Sequence, residues 1–302
     1  MMKLSVVIPV YRNKELLMTN LAHNYQFLKK YEIILVDDAS KVGIKEEVNK
    51  NFPSFIVIKH VVNTGFSQTV NDGVAQSKGE FILLLNSDVK LRDRSFEKAM
   101  THLKKDTSLF AVSFAQIEKD GNIVGKNSIY FSKGLFHHRK AQDISFGLNA
   151  WAEGGASIIR ASYFRKLGGF DTLYAPFYWE DIDLSYRAYK RGWKVLFDPT
   201  ILVEHHHEST IGKYFVKKKI SKIVFRNQFI FIWKNITDAH LFFFHLIFLP
   251  FLLLKLLFKQ TELFFSFFQA LKKLPHILKK RNDELLKKKV SDKEILRLFM
   301  HE

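Results

Sequence analysis

Three carboxylates stand close together between residues 178 and 184, next to two aromatic side chains. The segment reads Tyr178-Trp179-Glu180-Asp181-Ile182-Asp183-Leu184. Leu184, Arg187, Ala188 and Arg191 continue after it at helical spacing, so these acids open a predicted helix. One acid would suffice to complement the helix dipole. A positioned carboxylate is also a common general base. The cluster is therefore either a richly capped helix or a site that takes a proton from a substrate.

Two more polar clusters each follow a run of apolar residues. Asp37 and Asp38 follow the first of these runs, and the residues Asn, Ser and Asp at 86–88 follow the second. In an open α/β sheet, ligands bind beyond the carboxyl ends of the strands. We therefore expect both clusters at one edge of a sheet, where they could bind a ligand. The alternative for each cluster is that it simply forms the polar end of a strand and binds nothing.

The elements that must position these clusters alternate between strand and helix. Apolar runs without polar interruption are typical of parallel strands that are covered on both faces. The stretches between them repeat apolar residues at helical spacing. The predicted strands lie at 4–10, 33–36, 55–58 and 81–85. This alternation predicts a doubly wound α/β sheet.

Several function classes are excluded by what the sequence contains. The first strand is followed by Val10-Tyr11-Arg12-Asn13, without a G-x-G-x-x-G motif or a P-loop lysine, which argues against a dinucleotide dehydrogenase or a P-loop NTPase. The chain has no cysteine, which excludes disulfides, zinc–thiolate sites and thiol nucleophiles. Its first residues run directly into a strand pattern, so we expect no secretory signal there.

The middle of the chain has a weaker pattern. Residues 109–117 predict another strand, and the Asp-Gly-Asn sequence at 120–122 predicts a hairpin turn. Residues 133–148 show no clear period, so we predict a loop-rich region over the site. His137 and His138 fall in that region and are expected to be solvated loop histidines rather than ligands.

The positive charge of the chain is concentrated near its carboxyl end. Of 302 residues, 47 are basic and 30 are acidic, which gives a formal net charge of +17. Residues 212–302 hold 19 of the basic residues, 7 of the acidic ones and 15 of the 30 phenylalanines. Such an excess predicts an acidic partner, namely nucleic acid, an anionic membrane or a phosphorylated substrate. We predict one domain over 1–211 and a basic, aromatic-rich helical region over 212–302.

The order of the motifs resembles that of family 2 glycosyltransferases with the GT-A fold. The matching segments are 5–11, 36–40, 63–66, 71–73, 79–80, 85–88, 168–171, 179–184 and 203–205. Rhamnosyltransferase-like and galactofuranosyltransferase-like members, which build bacterial surface polysaccharides, are similar in these motifs and in the Arg-Asn-Gln segment at 226–228. The resemblance implies an α/β, Rossmann-like GT-A catalytic domain over 1–211, with a mostly parallel central sheet flanked by helices.

The resemblance implies transfer of a sugar from a nucleotide-diphosphate donor to a hydroxyl of a glycan, with inversion at the anomeric carbon. The donor is expected to be a UDP- or dTDP-sugar, dTDP-rhamnose among them, and the acceptor glycan to be lipid-linked. Asp38 would accept the imide N–H of the pyrimidine base, and Tyr11 would pack on its ring. The other donor-binding candidates are Pro9, Asp37, Asn71 and Asn86.

A metal ion is implied at the departing diphosphate. Asp88 matches the metal-binding acid of the family's D-x-D motif, and Asn86 stands in place of its first acid. His205 matches a downstream histidine that completes the metal shell, although His206 and His207 beside it leave the register open. Carboxylate and diphosphate oxygens suit Mg²⁺ or Mn²⁺, which acts as a Lewis acid on the leaving oxygens.

The general base is implied to be Asp181, which would take the proton of the attacking hydroxyl. Glu180 and Asp183 would be supporting acids that bind the acceptor or fix the start of the helix. Trp179 is either an apolar platform for a sugar or a core residue. The remaining acceptor-binding candidates are Gly154 and Gly155. Ordinary turns explain a glycine pair equally well. An inverting transfer needs no second carboxylic acid for the leaving group.

The carboxyl-terminal region has three interpretations. Residues 241–258 are apolar except for His245, Pro250 and Lys255, and their number is close to that of a transmembrane helix. Apolar faces beside lysines favour helices that lie in the interface of an anionic membrane. The second interpretation is a helix that spans the membrane completely. The third is a helical subdomain that packs on the catalytic domain or on a second copy of the chain. No nucleic-acid-binding motif accompanies the tail. We expect a cytoplasmic enzyme, peripheral on the inner face of the plasma membrane.

Two other functions remain as alternatives at this point. A catalytically idle GT-A-like domain could serve as a membrane scaffold or a glycan-binding module, and Asn86 in place of an acid is the feature that favours it. A nucleotidyltransferase also places a metal carboxylate on an α/β sheet, but it has no use for Asp181 on the later helix. The set Asp88, Asp181 and His205 favours sugar transfer.

Overall fold

The central sheet begins with four parallel strands, as the apolar runs predict. The computed structural model of the chain describes residues 3–205 and 215–300. The strands are β1 (Leu4–Val10), β2 (Glu32–Asp37), β3 (Ile56–Lys59) and β4 (Phe81–Leu85). β1 lies between β2 and β4, and β3 pairs with the outer edge of β2. All residues of β1 and β4 are buried because helices cover both faces of the sheet.

The second half of the sheet mixes strand directions. Its strands and those of a separate hairpin are β5 (Val89–Leu91), β6 (Leu109–Ile117), β7 (Ile123–Val124), β8 (Asn127–Ser132), β9 (Leu135–Lys140), β10 (Gly147–Leu148), β11 (Ala156–Arg160) and β12 (Lys194–His205). β11 runs antiparallel between β4 and β6, and β12 runs parallel to β6. Because β6 and β12 therefore share the direction of β4, the carboxyl end of β12 reaches the same sheet edge as those of β1, β2 and β4.

Helices cover the two faces of this sheet. They are α1 (Lys14–Leu28), α2 (Ile44–Asn51), α3 (Phe66–Gln76), α4 (Glu97–Lys105), α5 (Ala161–Lys166) and α6 (Glu180–Lys190). α3 approaches β1 so closely that a Cβ on Gly73 would lie 2.5 Å from a methyl carbon of Val7. The α/β architecture predicted from the alternation is thus confirmed, and it resembles the GT-A fold.

The region predicted to be rich in loops contains a β-hairpin instead. β8 and β9 pair antiparallel as a two-stranded sheet of their own. The prediction for 133–148 is wrong over β9, because Phe136 is the one buried side chain of this strand and four consecutive polar residues follow it, so no alternation of apolar and polar residues marks the strand. His137 and His138 therefore lie on a strand rather than a loop, with His137 partly buried and His138 exposed.

The carboxyl-terminal region forms helices, as predicted. They are α7 (Lys217–Asn235), α8 (Ala239–Lys259), α9 (Thr261–Leu271), α10 (Leu274–Lys287) and α11 (Asp292–Arg297). Residues 229–233 of α7 are buried in the same hydrophobic core as Phe136 and Tyr186 of the preceding domain. The predicted boundary at 211/212 lies outside the described residues and stays a prediction.

Helix α8 differs from α7 in leaving several of its large apolar side chains exposed, although Leu241, Phe242 and Leu249 pack against the core. It has 21 residues with a mean hydropathy of 2.4 over its most apolar window, of which 11% is buried. Within the described parts of the chain, it is the helix long and apolar enough to cross a membrane by length and composition.

Candidate active site

A cleft opens at the edge of the sheet where the parallel strands end. Five predicted residues line it together, namely Pro9, Tyr11, Asp38, Asn86 and Asp88. They come from the ends of β1, β2 and β4, which are adjacent in the sheet. The expectation that the polar clusters meet at one edge therefore agrees with the geometry.

Asp38 is fixed at the floor of this cleft by the loop that precedes α3. The backbone N–H groups of Thr64 and Gly65 donate to its two carboxylate oxygens, at 2.7 and 2.9 Å. His60 Nδ1 lies 2.9 Å from Oδ1. Oδ1 is thus well occupied, whereas Oδ2 accepts one bond and keeps a lone pair for a further donor such as a base N–H.

Two other predicted donor residues lie away from the lining. Asp37 is fully buried, and its Oδ1 accepts a hydrogen bond of 2.9 Å from the Ser40 backbone N–H. Asn71 pairs with the backbone of Phe170, accepting from its N–H at 2.9 Å and donating to its carbonyl at 2.8 Å. Both side chains shape loops around the cleft.

Gly154 and Gly155 connect the cleft to the acidic helix α6. A Cβ on Gly155 would lie 2.2 Å from the Asn86 side-chain nitrogen. A Cβ on Gly154 would lie 3.0 Å from the Phe66 ring and 3.9 Å from the Asp181 Cβ. Asn86 and Phe66 come close to the two glycines while Asp181 lies at ordinary contact distance, so close approach of the cleft side chains requires glycine here.

Asp88 and His205 meet at the rim of the cleft. His205 Nε2 lies 3.3 Å from Asp88 Oδ1, and its Nδ1 lies 2.6 Å from Gln116 Oε1. When Nδ1 carries the proton donated to Gln116, Nε2 carries the lone pair that a metal ligand needs. His206 and His207 lie outside the described residues.

These two side chains fit a divalent ion that takes further oxygens from elsewhere. Over residues 3–205 and 215–300, no group of three or more histidine, aspartate or glutamate side chains is gathered for a metal. One carboxylate and one oriented imidazole leave most coordination positions to diphosphate oxygens and water, as Mg²⁺ commonly requires. A metal here would therefore bind together with the donor.

Asp181 stands in the first turn of α6 as a partly buried carboxylate. Burial, and then the charge of Glu153, raise the pKa of Asp181 to about 7. The Ile182 backbone N–H donates to its Oδ1 at 2.8 Å. A carboxyl group with a pKa near neutrality matches what proton abstraction at pH 7 requires.

The two residues that precede Asp181 are buried more deeply. Glu180 is 5% exposed, and burial, followed by the charge of Asp181, raises its pKa well above the usual range. Trp179 packs its ring against Phe136 and Phe231, with ring centroids 6.2 and 5.3 Å away. Among the described atoms, Glu180 Oε2 and Trp179 Nε1 have no hydrogen-bond partner. The tryptophan lies in the core, with its indole N–H unsatisfied.

Asp183 serves the packing of the C-terminal helices. It is fully buried, and its carboxylate accepts bonds of 2.7 Å each from Arg187, Lys234 and Asn235. Burial alone would raise the pKa of Asp183, but the charges of Arg187 and Lys234 outweigh that effect and lower it. These contacts agree with the role of fixing the start of α6 rather than with binding the acceptor.

Several residues of the site carry no signal that sequence reasoning used. Pro176 and Phe177 form part of the cleft wall, and Phe215 adds a ring from beyond β12. Gln116 and Glu153, which act on His205 and Asp181, lie in otherwise apolar or glycine-rich segments. Only pairing across the sheet and the loop geometry bring them to the site.

Comparison with known proteins gives a family and several relatives. The family model described as glycosyl transferase family 2 matches residues 5–168. The pre-mycofactocin glycosyltransferase of Mycobacterium tuberculosis is 26% identical over 217 residues, covering 71% of this chain and 45% of the relative. The N-acetylglucosaminyl-diphospho-decaprenol L-rhamnosyltransferase of the same organism is 22% identical over 210 residues, covering 60% and 68%. The chain thus spans less than half the length of the first of these relatives.

Solved structures share the fold at low sequence identity. GalNAc-T7 with UDP, GalNAc and Mn²⁺ has a TM-score of 0.62 at 18% identity, covering 78% of this chain and 48% of that one. Staphylococcus aureus TarS 1–349 in complex with UDP has a TM-score of 0.56 at 17% identity, covering 95% and 89%. The mannosyltransferase PcManGT of Pyrobaculum calidifontis, with GDP-Man and Mn²⁺, also reaches 0.56 at 16% identity, covering 91% and 75%.

Proposed function

The chain belongs to glycosyl transferase family 2, and from that premise we propose that it is an inverting transferase that moves a sugar from a UDP- or dTDP-sugar to a hydroxyl of a lipid-linked glycan. The observation that carries the proposal is the continuity between the cleft at the strand ends and Asp181. The loop at Gly154 and Gly155 touches both. The name of the decaprenol-linked rhamnosyltransferase relative supports a lipid-linked acceptor and dTDP-rhamnose as a donor to test.

The donor side of the reaction falls to residues of the cleft. Asp38 accepts the base N–H at its open Oδ2 position, and Tyr11 and Pro9 pack against the nucleoside. A divalent ion, Mg²⁺ or Mn²⁺, would be held by Asp88 and His205 and would supply Lewis-acid stabilisation of the leaving diphosphate. Structural neighbours that contain Mn²⁺ are consistent with that assignment.

The chemical step needs one proton acceptor. The acceptor oxygen forms a bond to the anomeric carbon as the bond from that carbon to the diphosphate oxygen breaks, and the diphosphate leaves with the electron pair. Asp181 takes the proton of the attacking hydroxyl. Its raised pKa makes the carboxylate basic enough for this transfer while a large fraction stays ionised at neutral pH.

We also assign the exposed apolar side of α8 to an anionic membrane surface. Five of its large apolar side chains are 48 to 78% exposed, namely Phe243, Leu246, Phe251, Leu254 and Phe258. Lysines of the basic tail stand beside this surface in sequence. Apolar insertion together with attraction to anionic headgroups would hold the enzyme at the cytoplasmic face of the membrane. An interface with a second copy is the rival use of the same surface.

A donor panel tests the proposed reaction. Purified protein is incubated with Mn²⁺, a membrane extract as acceptor source and one nucleotide sugar at a time, and the released nucleotide diphosphate is measured. We expect release with one UDP- or dTDP-sugar that depends on the acceptor. The Asp88→Ala/Asp181→Asn double variant is the blank for contaminating activity. Binding of nucleotides without turnover of any donor would instead support the idle scaffold.

A further inference from the structure

The segment 174–179 joins the two halves of the candidate site. Pro176 and Phe177 lie in the wall of the cleft, and the Pro176 carbonyl accepts a hydrogen bond of 3.0 Å from the Phe66 backbone N–H. At its other end, the segment runs into α6 with Asp181 in the first turn. A displacement of this segment would therefore move the cleft wall and the carboxylate together.

The backbone of this segment holds two consecutive residues in an unfavourable conformation. Tyr178 and Trp179 have φ angles of 69° and 79°, in the left-handed region that side chains with a Cβ avoid. Such residues keep this conformation only where surrounding contacts over-determine it. The contacts that fix the segment should therefore be identifiable.

The main contact comes from one buried amide on α7. Asn227 is fully buried, and its Nδ2 donates to the carbonyls of Tyr174, Phe177 and Tyr178 at 2.9, 3.1 and 2.9 Å. The last of these carbonyls belongs to the peptide between the two left-handed residues. A single side chain thus fixes both ends of the turn that leads into α6.

Its neighbour on the helix completes the clamp. The Arg226 guanidinium donates to the Ala175 carbonyl at 2.6 Å and to Asn227 Oδ1 at 2.8 Å. The second bond orients the amide so that its N–H groups face the segment. These contacts account for the Arg-Asn pair, which the donor and base assignments leave without a role.

We propose that Arg226 and Asn227 are positioning residues for the transfer reaction, because they hold the segment 174–179 and so set the place of Asp181 relative to the donor cleft. The inference rests on the proposed function. It assigns part of the active-site geometry to the C-terminal region rather than to the nucleotide-binding domain alone.

A neighbouring residue on the same helix provides a matched control. Gln228 Nε2 donates to the Phe136 carbonyl at 2.8 Å. Gln228→Ala therefore also removes a side-chain bond between α7 and a backbone carbonyl, but it removes no hydrogen bond to the segment 174–179, which Phe136 touches through its ring contact with Trp179. Asn227→Ala and Arg226→Met remove the clamp, and Arg226→Lys keeps one donor for the segment.

Two measurements test the proposal in the full-length protein. For Asn227→Ala we expect kcat to fall about 100-fold, the effect expected of an ångström-scale misplacement. The Kd for UDP or dTDP should change much less than kcat, because Pro176 and Phe177 form only part of the cleft wall and Asp38 keeps its bonds to Thr64 and Gly65. Arg226→Lys should retain more activity than Arg226→Met. In hydrogen exchange, the amides of 177–183 should exchange faster in Asn227→Ala and at the wild-type rate in Gln228→Ala.

The outcomes separate this inference from the proposed function. A folded Asn227→Ala with wild-type kcat and wild-type exchange over 177–183 would overturn the positioning role, as would an equal loss in Gln228→Ala. If Asn227→Ala does not fold, kcat and the exchange of 177–183 are compared between Arg226→Met and Arg226→Lys instead. Equal values in these two variants and the wild type would then overturn the positioning role. A wild-type protein that turns over no donor contradicts the transferase proposal, while the exchange experiment still reports on the clamp.

Discussion

The donor side and the acceptor side of the site are held in place by different parts of the chain. Asp38 is fixed by Thr64 and Gly65, which lie in the loop between β3 and α3. The start of α6, which carries Asp181, is fixed from α7 through the bonds of Asp183 to Lys234 and Asn235. A change at either anchor should therefore act first on its own side, and the segment 174–179 is the part that links them.

The C-terminal region likewise contains two parts, α7 and α8, that differ in how they use their apolar side chains. Residues 229–233 of α7 belong to the core and hold the acidic helix. α8 packs on the core through side chains such as Leu241 and Phe242 but exposes others such as Phe251, which is 70% exposed. One helix of the region thus serves the geometry of the site, and the next has a surface suited to a partner.

The largest effect is expected from Asp181→Asn, which changes the acceptor side alone. The amide keeps the shape of the side chain but accepts no proton, so kcat should fall about 10²- to 10⁴-fold. Nucleotide affinity, measured by calorimetry, should stay at the wild-type value because Asp38 is held elsewhere. Asp120→Asn, in an exposed turn, serves as the carboxylate control. Near-normal turnover in Asp181→Asn would remove this residue from the role of base.

The next largest effect concerns the donor side. Asp88→Ala should lower activity about 100-fold, since a metal that stabilises the leaving group contributes several kcal/mol. Chelation of divalent ions in the wild type should give a similar loss that Mn²⁺ or Mg²⁺ restores. His205→Ala should raise the Mn²⁺ concentration needed for half-maximal activity. Activity that survives both EDTA and Asp88→Ala would contradict metal dependence.

The same division explains what the sequence could predict. Asp38 and the Asn86–Asp88 segment follow apolar strands, so their common edge follows from strand direction alone. Asn227 gave no such signal, because its partners at 174–178 are about 50 residues away and are backbone atoms. The hairpin of β8 and β9 could not be predicted because polar residues occupy both faces of its strands, so apolar residues do not recur at every second position. Contacts between distant segments, rather than local pattern, determine the acceptor side.

A smaller effect is expected at the exposed surface of α8. The double variant Phe243→Glu/Phe251→Glu removes two exposed rings from it, so partition onto anionic vesicles should fall at least about tenfold. Flotation on vesicles of phosphatidylglycerol and phosphatidylcholine measures this, and binding should weaken on phosphatidylcholine alone. Val61→Glu, at a side chain that is 97% exposed elsewhere, is the matched control.

Three results would change this assignment. Wild-type protein that stays in the soluble fraction at low salt contradicts membrane binding. Equal flotation on neutral and anionic vesicles leaves apolar insertion and removes the electrostatic contribution. A dimer in solution that the Phe243→Glu/Phe251→Glu variant converts to monomer assigns the surface to a second copy. Truncation before α7 is a poor substitute for this test, because it would also remove the buried residues 229–233.

The smallest effect is expected from Glu153→Gln, which changes the electrostatics of the acceptor side without touching the donor. Burial and then the charge of Glu153 together raise the pKa of Asp181 to about 7. The base acts when ionised, so wild-type kcat should fall as the pH drops through about 7. The substituted amide keeps an oxygen for the bond that Asn127 Nδ2 donates at 3.0 Å, but it carries no charge. The acid limb of the pH profile of kcat should therefore move to lower pH. The variant should have a kcat a few-fold above that of the wild type at pH 6 and the same kcat at pH 8. Glu118→Gln, which removes a carboxylate outside the site, should leave the limb in place. A limb that moves upward in Glu153→Gln, or equally in both variants, would contradict a local effect of this charge on Asp181.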